Sequence, residues 1–147
     1  MPKMITFKKI GNQEIGYLSF FESNKEVDFD VKRIYYTYDV PVGVQRGMHA
    51  HKELKQLVWC PYGCVEFILD NGKEKKTYIL DKPNEGLYID RGFWRDIYFK
   101  KEGSVLCVAV SDYYNEEDYI RSYDEFKTLS DSGYWNDENR FSPIDSE

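Results

Sequence analysis

The 147-residue chain is short of histidine: His49 and His51 are the only two. It has three cysteines, Cys60, Cys64 and Cys107. An odd count at no disulfide-framework spacing excludes a stapled secreted scaffold and fits a reduced, cytoplasmic compartment. There is no block of basic residues, and 20 Lys plus Arg against 26 Asp plus Glu give a net charge of −6. That balance argues against a nucleic-acid partner, although a local basic pocket for a small anion remains open. Apolar runs are too short to span a bilayer, so no membrane partner is expected. The stretch Met1 to Phe7 lacks the apolar region of a secretory signal. Neither an internal repeat nor a low-complexity block is visible, and the length fits one domain with one sizeable core.

Aromatic residues, by contrast, make up 17% of the chain, with 13 Tyr, 9 Phe and 3 Trp. They fall in short runs separated by turn signals, the pattern of half-buried strands. Strands are expected at Met4 to Ile10, Ile15 to Phe21, Val31 to Tyr38, Leu54 to Cys60 and Cys64 to Leu69. Further ones follow at Lys75 to Leu80, Leu87 to Asp90, Trp94 to Phe99 and Ser104 to Ser111. Asp70-Asn71-Gly72 predicts a type I′ hairpin turn, since Asn-Gly tolerates the positive φ angles required. About nine strands at such spacing indicate a sandwich or barrel. Over residues 115–129 the period changes to helical, with Tyr119, Ile120, Tyr123, Phe126 and Leu129 on one stripe and Glu116, Glu117 and Asp118 in the first turn. The expectation is a single domain over 1–130, closed by this amphipathic helix packed on the β body. A partly mobile tail follows over 131–147, which Tyr134 and Trp135 tack down in part.

Chemistry concentrates in Gly43-Val44-Gln45-Arg46-Gly47-Met48-His49-Ala50-His51. On a strand, residues i and i+2 share a face, so His49 and His51 point together and Ala50 points away. Paired imidazoles serve either as metal ligands or as acid/base groups. Cys60 and Cys64, with only Cys107 beyond them, lack the second pair that a zinc knuckle needs and read as buried small hydrophobes.

The spacing Gly43, His49-x-His51, Gln56, Gly63 resembles the first cupin motif, with Gln56 where that motif usually carries Glu. The second motif's histidine is missing from Gly86 to Ile97. Two of the usual ligands are therefore gone, and Glu53 or Glu66 would complete at most a weak metal site. The string Arg46-Gly47-Met48-His49-Ala50-His51-Lys52, with Gln56, Leu69-Asp70-Asn71-Gly72, Trp94-Arg95-Asp96-Ile97-Tyr98 and Val108-Ala109-Val110-Ser111-Asp112-Tyr113-Tyr114, is similar to the sugar 3,4-ketoisomerases. So are Asp118-Tyr119-Ile120-Arg121 and Tyr123-Asp124-Glu125-Phe126, and the likeness spans roughly residues 5 to 130. It implies an all-β small cupin, a jelly-roll barrel with a C-terminal helix. It implies a homodimer with exchanged N-terminal strands, no metal or other cofactor, and a dTDP-linked 4-keto-6-deoxyhexose as substrate. The product would feed 3-amino-3,6-dideoxysugars of bacterial surface glycans such as the O-antigen of lipopolysaccharide.

Moving a carbonyl from C4 to C3 requires removal of the C3 proton and delivery of one to C4. Neutral imidazole suits both steps. By resemblance His51 is the main base and His49 its partner, although the shared face fits either order. Candidate donors for the charge developing on oxygen are Tyr36, Tyr38, Gln56 and one of the histidines as an acid. Arg46 is the first candidate for the diphosphate, followed by Arg33, Arg91 and Arg95, with Lys52 as a further contact. Tyr17, Trp59 and Trp94 are candidates to stack on the nucleobase. Tyr17 and Arg95 also occupy positions that, by resemblance, lean the product towards gluco over galacto. A cupin-type dTDP-sugar 3,5-epimerase, a non-catalytic nucleotide-sugar-binding cupin and a metal-dependent dioxygenase are the competing readings.

Overall fold

The protein is described over residues 1–143 as a computed structural model. In chain order the strands are β1 (Lys3–Thr6), β2 (Lys8–Asn12), β3 (Gly16–Phe20), β4 (Arg33–Thr37), β5 (Gln45–His51) and β6 (Gln56–Tyr62). They continue with β7 (Val65–Asp70), β8 (Lys75–Leu80), β9 (Glu85–Ile89), β10 (Trp94–Phe99), β11 (Val105–Val110) and β12 (Tyr119–Ile120), followed by helix α1 (Tyr123–Asp131). One sheet has the order β1-β9-β6-β11-β4, the other β12-β5-β10-β7-β8, and β2 and β3 form a separate hairpin. All pairings are antiparallel. The all-β jelly-roll expected from the sequence is what forms.

Alternation along the strands makes the core. Val58 and Cys60, Leu87 and Ile89, Leu106, Val108 and Val110 point from the first sheet onto Val65, Phe67, Leu69, Ile97 and Phe99 of the second. Each such side chain, when fully buried, contributes roughly 1.5–3 kcal/mol. The opposite faces are covered separately. Leu57 and Tyr88 lie under Phe7, Val27 and Phe29. Ala50, Trp94 and Ile120 lie under Phe126 of α1 and Trp135.

The structure departs from the sequence reading at several points. The N-terminal run breaks at Phe7, which donates its N–H to the Asn84 carbonyl at 2.7 Å and buries its ring in the second cluster. The Asn71-Gly72 turn is not type I′: Gly72 has φ +92°, whereas Asn71 is absent from the positive-φ residues. Four residues link β7 to β8, and Asn71 Oδ1 accepts from the N–H groups of Lys73 and Glu74, both at 2.9 Å. That side-chain turn replaces the tighter backbone one. The expected helix over 115–129 is shorter and starts later. Glu116–Asp118 is a single 3₁₀ turn capped by Asn115, Tyr119–Ile120 pairs with β5, and α1 begins only after Ser122, whose Oγ caps the Glu125 N–H.

Beyond α1 the described residues are packed rather than loose. Trp135 and Phe141 are buried, and Asn139 Nδ2 donates to the carbonyls of Asn71 and Gly92. The last four positions of the expected tail, 144–147, lie outside the described residues.

Candidate active site

The site is built on β5 and depends on an irregularity there. Arg95 of β10 pairs with His49, but Asp96 pairs with Gly47, so Met48 is an extra, unpaired residue. Such a bulge shifts the alternation by one position. Arg46, three residues before His49, would otherwise face the opposite side. With the bulge it pairs with inward-facing Ile97 and joins the histidines on the inner face. Gly47 makes this possible: its φ is +82°, and a Cβ there would come 2.8 Å from the Arg95 carbonyl oxygen. Ala50 between the histidines is fully buried under the helix, as the alternation predicts.

The two imidazoles meet edge to face with centroids 5.0 Å apart. Tyr119 packs on both, at 4.6 Å from His51 and 5.2 Å from His49. His49 Nδ1 lies 3.1 Å from the Gly47 carbonyl oxygen. His51 Nδ1 lies 3.0 Å from Asp118 Oδ2, and His51 Nε2 is buried with no hydrogen-bond partner among the described residues. Burial, with the nearby Arg95 cation, pushes His49 down to about 3 and His51 down to about 4, the latter against a raising contribution from Asp118. Both are neutral near pH 7 and can accept a proton.

Arg95 is buried without a carboxylate partner among the described residues. Its guanidinium donates to Gln56 Oε1 and, at 3.0 Å, to the Phe93 carbonyl, while Nε has no partner among the described residues. Burial lowers its pKa to about 10, which leaves it charged at neutral pH. Gln56 passes the network on, its Nε2 donating to the Tyr35 hydroxyl at 3.2 Å. A buried cation without a paired carboxylate favours any anion formed beside it. His49, Gln56, Arg46, Arg95 and Tyr35 line a cavity of about 80 Å³, while His51, Arg33, Asp118 and Tyr119 line one of about 200 Å³. Arg33 sits over the rings of Tyr35 and Tyr114, with its Nε buried and without a partner among the described residues.

Other sequence candidates fall elsewhere. Tyr36 and Tyr38 stack on each other at 5.8 Å and are 63% and 60% exposed on the outside, because β4 turns Tyr35 inward instead. Trp94 faces away from the lumen into α1, against Tyr123 and Phe126. Trp59 packs on Phe7 and Phe21 in the second cluster. Tyr17 lies under Lys9 on the β2–β3 hairpin and lines neither cavity. Arg91 is held by Glu53 and Glu138. Glu66 pairs across from outward-facing Tyr98. Among the described residues no three His, Cys, Asp or Glu side chains converge as metal ligands. The sequence reading missed Asp118, Tyr119 and Tyr35. The first two were absorbed into the expected helix, and only the pairing of β12 with β5 reveals them.

Three comparisons bear on this arrangement. The family described as "FdtA: WxcM-like, C-terminal" matches residues 1–131. A curated relative from Aneurinibacillus thermoaerophilus, TDP-4-oxo-6-deoxy-alpha-D-glucose-3,4-oxoisomerase, is 42% identical over 125 residues, covering 85% of this chain and 89% of that protein. Among solved structures, a mutant of the 3,4-ketoisomerase QdtA from Thermoanaerobacterium thermosaccharolyticum, in complex with TDP-4-keto-6-deoxyglucose, superposes with a TM-score of 0.85 at 37% identity, covering 89% of this chain and 94% of that one. The WlaRB TDP-quinovose 3,4-ketoisomerase from Campylobacter jejuni gives 0.81 at 38% identity, covering 86% and 97%.

Proposed function

Because the chain belongs to the FdtA family, WxcM-like, C-terminal, and is an isomerase of the sugar 3,4-ketoisomerase kind, we propose that it converts dTDP-4-keto-6-deoxy-D-glucose to dTDP-3-keto-6-deoxy-D-glucose without a metal or other cofactor. The observation that carries the mechanism is the pair of neutral imidazoles in contact, each with Nδ1 engaged, His49 lining the smaller cavity and His51 the larger. His51 Nε2 removes the C3 proton, which the C4 ketone acidifies. The resulting enediol is protonated at C4 with His49 as partner in the shuttle, and a hydroxyl proton passes from O3 to O4 to complete the exchange. The buried Arg95 cation, with Gln56 and Tyr35, stabilises the negative charge on the enediol oxygens. Arg46 on the smaller cavity and Arg33 on the larger take the diphosphate, a reading that their forked donors support.

Two further parts of the reading rest on exposed apolar surface and on the N-terminal hairpin. Ile10, Ile15, Leu18 and Phe20 of the hairpin region are exposed, as are Ile34 and Tyr36 on β4, which is an edge strand. A homodimer with exchanged N-terminal strands would cover both surfaces and carry Tyr17 to the partner's lumen. Tyr17 and Arg95 then support the gluco outcome, in line with the likeness to the quinovose enzyme. The product's 3-ketone suits amination on the way to 3-amino-3,6-dideoxysugars of surface glycans, in the cytoplasm.

The test is a proton NMR time course of chelator-treated protein with dTDP-4-keto-6-deoxyglucose in heavy water. A 3-keto isomer carrying deuterium at C4 is expected, with the C4 coupling reporting gluco. An unchanged spectrum from folded protein would remove the assignment for this substrate.

A further inference from the structure

The proton transfers above leave the carboxylate bonded to His51 without a role. Asp118 lies on the 3₁₀ turn before β12, and both its carboxylate oxygens are engaged. Oδ2 is 3.0 Å from His51 Nδ1, and Oδ1 accepts the Glu53 N–H at 2.8 Å. Its backbone is fixed too, its carbonyl accepting the Lys52 N–H at 3.0 Å and its N–H donating to the Asn115 carbonyl at 3.1 Å. The turn is therefore tied to the residues just after His51. Burial would raise the carboxyl pKa, but the hydrogen bonds from His51 and the Glu53 N–H outweigh it and hold the group ionised below its ordinary value.

We propose that Asp118 is a positioning residue for the isomerisation: it holds His51 as the Nδ1–H tautomer, aims the bare Nε2 into the cavity and balances the imidazolium formed when Nε2 takes the C3 proton. The inference rests on the reading of His51 as the base. A carboxylate can only accept, so the nitrogen facing it must carry the proton. Without that partner a neutral imidazole exchanges between tautomers, and one of them has no lone pair on Nε2. Charge balance points the same way. Arg95 and Arg33 both lower the proton affinity of His51, and Asp118 opposes them from the far side of the ring. Both carboxylate oxygens are taken by His51 and the Glu53 N–H, so the group acts through His51.

Asp118→Asn separates this role from a structural one. The amide keeps an oxygen for the Glu53 N–H and presents an N–H to His51, which inverts the tautomer while preserving shape. The readouts are the ¹⁵N chemical shifts of the labelled imidazole, kcat and KM for the intact enzyme, and the unfolding midpoint. The wild type is expected to show Nδ1–H and the variant Nε2–H. Between them kcat should fall about 10²- to 10⁴-fold, with KM changed less than about threefold and with Asp118→Glu recovering part of the rate. A wild-type Nε2–H tautomer overturns the proposal and needs no variant to be folded. A fully active Asp118→Asn beside an inactive His51→Asn overturns the positioning role alone. A His51→Asn enzyme that still isomerises removes the base assignment and the proposal with it.

Discussion

Replacing Trp135 by alanine asks whether the segment after α1 belongs to the fold. The indole is fully buried, stacks 5.8 Å from Phe126 and donates Nε1–H to the Lys52 carbonyl at 2.9 Å. It is seated against backbone on its other side, where a Cβ on Gly92 would lie 2.7 Å from the ring. Truncating a buried Trp to Ala destabilises by about 3–5 kcal/mol, and the stranded Lys52 carbonyl adds about 1 kcal/mol unless water reaches it. A loss near 4 kcal/mol is a large share of the roughly 5–15 kcal/mol of a typical domain. With a urea slope of about 2 kcal/mol/M, the midpoint should fall by about 2 M. Trp135→Phe, which keeps the ring and drops the donor, should lose about 1–2 kcal/mol. Far-UV circular dichroism in urea reads both. A midpoint shift below about 0.3 M for the alanine variant, on the order of 0.6 kcal/mol at that slope, would refute the packing argument and the expectation that Trp135 tacks the tail down.

With His51 at about 4, kcat/KM should stay level from pH 8 to about 5 and decline only below that; an acid limb centred near 6.5 would contradict a buried neutral base. Stability follows in the same direction. The folded-state values of both histidines lie below the unfolded 6.5, so their contribution is full above pH 6.5 and is lost as pH falls towards 4 and 3. Urea melts at pH 7 and 5 should differ by about 2 kcal/mol per histidine. Arg95→Met should lower kcat by about 10²-fold or more and raise both imidazole pKa values in an NMR titration; unmoved values would show that Arg95 is not the cation they sense. Gly47→Ala, strained at φ +82° and crowded by the Arg95 carbonyl, should destabilise by about 1–3 kcal/mol, and a neutral melt would show that the bulge relaxes freely.

What could be read from sequence was what depends on local period. Lys75–Leu80 and Trp94–Phe99 match their expected bounds, and His49 and His51 share a face because they are two apart. Phase was harder to read than period. Tyr35 and Tyr36 are equally good strand residues, and only the burial of Arg33, Tyr35 and Thr37 selects which tyrosine faces inward. The same ambiguity placed Trp94 beside Arg95 in the site, although neighbours on a strand point to opposite faces. Asp118 was hidden differently: it stands 67 residues from His51, inside an acidic triplet that suits the start of a helix. The Asn-Gly signal correctly marked a turn but not its length, because Asn71 uses its side chain rather than a left-handed backbone.

The unpaired Met48 has a consequence for how this strand can change over evolutionary time. It divides β5 into two sections that count their faces independently. Flattening the bulge with Met48 retained would leave the imidazole pair where it stands and swing Arg46 to the outer surface, whereas deleting Met48 would leave Arg46 two places before His49 and still on the inner face. Losing Ala50 instead would invert His51 alone. The rim guanidinium and the imidazole pair can thus change faces separately, according to whether the bulge is kept, a modularity contained within seven consecutive residues.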